Sequence, residues 1–124
     1  DSAGTAGYHI GELAHRTTRR VAQSYGLKIE HRARQFGAAD FTVFHYILAM
    51  DRFNMVELER QTRSDSDRSR LMMYRKFDPR SPAGEARDVP DPYYGELSGF
   101  EGVQEIMIRT SPLIIDWILE NHSP

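Results

Sequence analysis

The sequence predicts a single α/β domain, in which a small parallel β-sheet is flanked by helices in a three-layer arrangement. Three observations predict it. Two compact apolar runs, "HYILAM" at 45–50 and "LMMYRKF" at 71–77, carry β-branched or aromatic residues and have the length of buried strands. Between them lies a segment opened by a helix-capping aspartate, which gives strand–helix–strand. A long loop and a strongly periodic helical stretch follow, completing the alternation typical of a parallel sheet.

Each element has its own local reason. Residues 1–12, "DSAGTAGYHIGE", are small and glycine-rich and read as a loop. A helix is predicted over Ala14 to Tyr25, closed by Gly26, a usual residue just past a helix C-terminus. "HRARQF" at 31–36 is a polar connection, and Asp40 ends a short turn. After the first strand, Asp51 caps a helix reaching Arg60, with Met55 and Leu58 on its inner face. "TRSDSDRSR" at 62–70 reads as a solvated loop. The segment 78–95 contains four prolines and no period of its own, and loops of that length in compact domains are usually functional or disordered. Ser98 and Glu101 form an S-x-x-E capping box. Beyond it Phe100, Val103, Met107, Leu113 or Ile114, and Trp117 fall at helical spacing. Pro112 should kink this helix, because its ring displaces the bond to Ile108.

Bulk properties narrow the function. A chain of 124 residues is one domain with one core, and 40% hydrophobic with 27% charged residues is ordinary for a soluble globular protein. No apolar run approaches the roughly 18 residues of a membrane span, and no signal-peptide pattern is visible, so the expectation is a cytoplasmic protein without a membrane partner. The net charge of −2 argues against whole-domain attraction to nucleic acid. Zero cysteines exclude disulfides, thiolate metal sites and a cysteine nucleophile within these residues. No internal repeat or low-complexity tract is present.

The string "DVPDPYYG" at 88–95 stands out, and two readings of it are open. Asp-Pro-x-x-Gly is a common turn signal. Alternatively Asp91 is an acid held beside an aromatic slot, since Pro92 restricts it to an extended backbone. Adjacent Tyr93 and Tyr94 in extended chain point to opposite sides, so one ring can face a ligand while the other packs.

Four strings in register, "DSAGT" at 1–5, "HRARQ" at 31–35, "YILAMDRFN" at 46–54 and "DPYYG" at 91–95 followed by "FEGVQEIM", resemble the low-molecular-weight protein tyrosine phosphatases. The resemblance covers essentially the whole chain. It implies a phosphatase that hydrolyses phosphotyrosine in protein substrates through a phosphocysteine intermediate, without cofactor or metal. It implies Asp91 as general acid, Tyr93 and Tyr94 as the aromatic wall beside the substrate ring, and Tyr8 on the opposite lip. Ser2 and His31 match positions that support the phosphate loop, and Asp51 and Asn54 match scaffold positions. One departure is "AHRT" at 14–17, where the family usually reads Pro-Asp-Pro-Arg.

The larger departure is the family's C-x5-R phosphate loop, for which these residues offer no counterpart. Two strands are also too few for a stable sheet. The expectation is therefore a single phosphatase-like domain over 1–124, N-terminally incomplete. The absent segment would be on the order of 30 to 40 residues, the size of a strand–loop–helix–strand unit. It would carry the nucleophile, the phosphate cradle and the central strand, and the 124 residues alone would be inactive.

Two alternatives belong to other classes. A pseudophosphatase would lack the loop naturally and bind phosphoproteins without turnover; an upstream Cys and Arg separated by five residues would distinguish the enzyme. A helix-turn-helix DNA-binding protein is a weaker reading of "RRVAQSYGLKIEHRARQFG", where residues 1–35 hold six Lys/Arg against three Asp/Glu. An arsenate reductase of the same fold is weaker still, because it needs redox cysteines.

Overall fold

The structure, a computed structural model, describes residues 1–7, 10–14, 16–28, 30–81, 88–90 and 97–122. Its elements in order are α1 (Arg16–Ser24), α2 (Asp40–Val43), β1 (Ile47–Ala49), α3 (Arg52–Gln61), α4 (Asp65–Ser69), β2 (Leu71–Met73), a 3₁₀ turn (Tyr74–Phe77) and α5 (Leu97–Asn121). β1 and β2 pair in parallel, with Ile47 opposite Leu71 and Ala49 opposite Met73. A parallel pair needs a crossover, which α3 and α4 supply.

The period-2 alternation of a strand sorts side chains into layers. Ile47, Ala49, Leu71 and Met73 face α3, packing with Leu58 and Met55. Leu48 and Tyr74 face the other way and meet Ile106, Ile114 and Met107 of α5. Helix α1 lies against α5 and buries Val21 and Ala22. The predicted three-layer α/β domain is therefore what forms, with the sheet in the middle. No helix among the described residues is long and apolar enough to cross a membrane.

Several boundaries differ from expectation for identifiable reasons. Helix α1 begins at Arg16 and ends at Ser24, with Gly26 at φ +80° as the stop signal requires. The "HYILAM" strand shortens to Ile47–Ala49, and "LMMYRKF" is a strand only through Met73. Beyond Met73 the chain turns into a 3₁₀ helix that buries Tyr74, and the Tyr74 hydroxyl reaches the Ser111 hydroxyl.

The solvated loop expected at 62–70 contains α4. The Ser64 side chain accepts from Asp67 N–H, and the buried Asp67 carboxylate accepts from Arg63 N–H at 2.9 Å; local side-chain bonds of this kind stabilise a short turn of helix without apolar periodicity. Asp40 opens α2 rather than ending a turn, accepting from Gly37 N–H at 2.9 Å. The polar connection at 31–36 is tied to the N-terminal segment through bridges Gly4–Gln35 and Leu13–Arg32. Helix α5 starts at Leu97, so Ser98 lies within it rather than before it. Ile114, not Leu113, faces the core. The helix-turn-helix reading is not favoured: among the described residues no helix follows α1 before the four-residue α2.

Helix α5 continues through Pro112. Proline has no N–H to offer the Ile108 carbonyl, and its ring is exposed, so little packing offsets that deficit. Pro112→Ala is expected to raise the unfolding free energy by about 1–3 kcal/mol, measured by urea titration. An unchanged or lower midpoint would contradict it.

Candidate active site

Open α/β sheets bind ligands beyond the C-terminal ends of their strands. At that end of β1 the chain passes through Met50 into the cap of α3. Asp51 is extended (φ −146°) and its carboxylate accepts from Asn54 N–H at 2.6 Å, which confirms it as the helix cap. A second carboxylate arrives from elsewhere in the sequence: Asp88 accepts from Arg52 N–H at 2.9 Å. Both acids satisfy donors that a helix N-terminus leaves open and complement its positive dipole end.

Asp88 is brought there by its neighbours. Val89 N–H donates to the Met50 carbonyl at 2.7 Å, and the Val89 side chain is buried with Tyr74, Ile106 and Ile114. Residues 88–90 therefore run alongside the end of β1, immediately before Asp91.

Behind this segment sits a buried ionic cluster. The Asp78 side chain is fully buried. It accepts from Arg109 Nε at 2.9 Å and Nη2 at 3.0 Å, from Arg75 Nε at 2.9 Å and from Arg80 N–H at 2.9 Å. The forked hydrogen bonds from Arg109, helped by those from Arg80 and Arg75, hold the Asp78 carboxyl well below the usual carboxylate range despite its burial. Arg75 also donates through Nη1 to the Asp88 carbonyl at 2.9 Å.

Residues 1–5 line a cavity of about 350 Å³ together with Ile47, Leu48, Ala49 and Asn54. Asn54 Nδ2 reaches Thr5 Oγ1 at 3.5 Å, a long contact across this space. Among the described residues β1 pairs only with β2.

The structure places the sequence-predicted residues as follows. Ser2 and His31 are adjacent: His31 Nε2 lies 3.2 Å from the Ser2 backbone carbonyl and 3.7 Å from Asp1 Oδ1, so the contact is with the main chain of Ser2 rather than its hydroxyl. Arg34 ties the same segment down by donating to Asp1 at 3.0 Å and to Asp40 at 3.1 Å. Burial opposes the charge on Asp40, but the Arg34 guanidinium and Gly37 N–H outweigh it and lower its pKa. Asp51 and Asn54 stand at the cap of α3. Asp91, Tyr93, Tyr94 and Tyr8 lie outside the described residues.

The Arg75–Asp78–Arg109 cluster was not singled out by the sequence reading. A signal was present: Arg109 stands three residues after the buried Ile106, close to the apolar stripe of α5, where a cation needs a buried counter-charge.

The sequence model for "Low molecular weight phosphotyrosine protein phosphatase" matches residues 1–116. The chain is 38% identical over 111 residues to a low molecular weight protein-tyrosine-phosphatase of Streptomyces coelicolor, covering 90% of this chain and 67% of that protein. It is 38% identical over 119 residues to protein-tyrosine phosphatase A of Mycobacterium tuberculosis, covering 96% of this chain and 70% of that one. The crystal structure of a protein tyrosine phosphatase from Entamoeba histolytica superimposes with a TM-score of 0.87 at 32% identity, over 97% of this chain and 74% of that one.

Proposed function

Because this chain belongs to the low molecular weight phosphotyrosine protein phosphatase family, we propose that it acts on phosphotyrosine in protein substrates through a phosphocysteine intermediate, with Asp91 as general acid. The observation that carries this reading is the family match across residues 1–116, which spans the Asp91–Gly95 string.

The chemistry requires two groups. A thiolate attacks phosphorus, forming the S–P bond as the bond to the tyrosine oxygen breaks. The departing phenolate has a conjugate acid of pKa about 10, so an acid that protonates it lowers the barrier. The proton passes from the Asp91 carboxyl to that oxygen. Water then cleaves the S–P bond and releases phosphate. Tyr93, Tyr94 and Tyr8 would flank the phenyl ring, and the Ser2–His31 pair would steady the phosphate-binding loop.

The thiolate in this reading comes from a segment outside the 124 residues, which contain no cysteine. Two features support that placement. The matched relatives are longer, at 67% and 70% coverage of their lengths, and among the described residues β1 pairs only with β2 while bordering a cavity of about 350 Å³ shared with residues 1–5. A cytoplasmic setting fits this chemistry, because a free thiolate persists where thiols stay reduced.

The test uses p-nitrophenyl phosphate. The 124 residues alone should release no nitrophenolate, and the same chain joined to a C-x5-R segment should do so in EDTA and be inhibited by vanadate. EDTA-sensitive or vanadate-insensitive turnover would overturn the assignment.

A further inference from the structure

We propose that Arg75 is a positioning residue for the acid loop: anchored by Asp78, it holds the backbone of residues 88–90 against the end of β1 and so sets the approach of the chain to Asp91. This deepens the functional reading above and rests on Asp91 being the acid.

The geometry supports it in three steps. Arg75 spends two different donors on two different partners, Nε on Asp78 Oδ2 and Nη1 on the Asp88 carbonyl, each at 2.9 Å. A guanidinium can do this because its donors are fixed in one plane. Asp78 cannot swing away, since Arg109 of α5 and Arg80 N–H grip the same carboxylate. The position of Arg75 is thereby referenced to α5.

At the other end, the bond from Arg75 falls on the residue that also accepts from Arg52 N–H and precedes the Val89 N–H bond to Met50. Three hydrogen bonds from three elements, the 3₁₀ turn, α3 and the end of β1, converge on two consecutive residues. Residues 88–90, the described part of this proline-rich segment, belong to no helix or strand, so these bonds are what fix their place. A turn needed only to change chain direction has no use for them, whereas an acid effective only at the correct distance from a leaving oxygen does.

The alternative role, simple stabilisation, predicts different data. Arg75→Ala removes both bonds, while Arg75→Lys keeps the charge beside Asp78 but cannot fork to the Asp88 carbonyl. Amide hydrogen exchange in the catalytically competent protein reads the anchor directly. The Val89 amide should exchange about tenfold faster in both variants, with the Ile47 amide, which donates to the Arg70 carbonyl, unchanged.

Single-turnover rates read the consequence. Arg75→Lys should lose about tenfold more rate with phosphotyrosine than with p-nitrophenyl phosphate, with little change in KM, because only the poorer leaving group depends on a well-placed acid. Asp91→Asn is run beside it. An unchanged Val89 exchange rate overturns the anchoring. Faster exchange with equal losses on the two substrates overturns the positioning role, provided Asp91→Asn discriminates between them. If Asp91→Asn does not discriminate, the acid reading itself has failed, and positioning of an acid falls with it while Val89 exchange still decides the anchor.

Discussion

Asp78→Asn should destabilise the fold by about 3 kcal/mol, the low end of the range for breaking a buried ion pair by removing one partner. The low end applies because the side chains of Arg75 and Arg109 keep some exposure, 12% and 23%, although that of Asp78 has none. The substitution leaves two arginines facing a neutral amide whose NH2 can only repel their donors. It also loosens the tie between the 3₁₀ turn and α5.

The sign with pH follows from the lowered pKa of Asp78. A carboxylate stabilised in the fold contributes fully above its unfolded pKa of about 3.9, and that contribution is lost as pH falls below it towards the folded value. The difference between wild type and Asp78→Asn in urea unfolding should therefore be constant from pH 5 to 8 and shrink by pH 3. An undiminished difference at pH 3 would mean the charge is not what matters. Asp65→Asn, which removes the charge from a solvent-exposed pair with Arg68, should leave the urea midpoint nearly unchanged.

Asp91→Asn should slow phosphoenzyme formation from phosphotyrosine by about 10²- to 10⁴-fold in the catalytically competent protein. The loss should be far smaller with p-nitrophenyl phosphate, because nitrophenolate leaves readily as an anion. Asp88→Asn is the control. Its Oδ1 accepts from Arg52 N–H, a bond an amide oxygen can keep, so both substrates should be nearly unaffected. Burst rates for both variants on both substrates decide the matter. Equal losses across leaving groups at Asp91, or a larger loss at Asp88, would mean the acid has been misassigned and Asp91 is a turn residue.

Much of the fold was legible because its signals are local. The Asp51 cap, the Gly26 stop, the strand-length apolar runs and the α5 periodicity each depend on residues within one or two turns. The errors fall where a local signal competes with another. The segment 62–70 is polar throughout, yet Ser64 and Asp67 fold it into α4 by side-chain bonds to the backbone. "LMMYRKF" reads as one strand, yet Tyr74 leaves it to reach Ser111 on α5.

The family of the chain was also legible, since four strings in fixed order carry it. The candidate site was legible only in part. Ser2 and His31, which the resemblance assigned to support of the phosphate loop, meet in the fold through the Ser2 carbonyl, a contact that no residue pattern specifies.

By itself the sequence determined the three-layer α/β class and the family, because periodicity, capping and motif order are written along the chain. Only the tertiary structure decided that Asp78 sits between Arg75 and Arg109, that Asp88 closes the N-terminus of α3, and that Val89 pairs with Met50. The pairs Asp78–Arg109, Asp88–Arg52 and Val89–Met50 are separated by 31, 36 and 39 residues. Hydrogen bonds form between groups that packing brings within about 3 Å, and a buried charge selects its partner by what the surrounding core excludes from water, so pairings over such separations exist only once the layers have assembled.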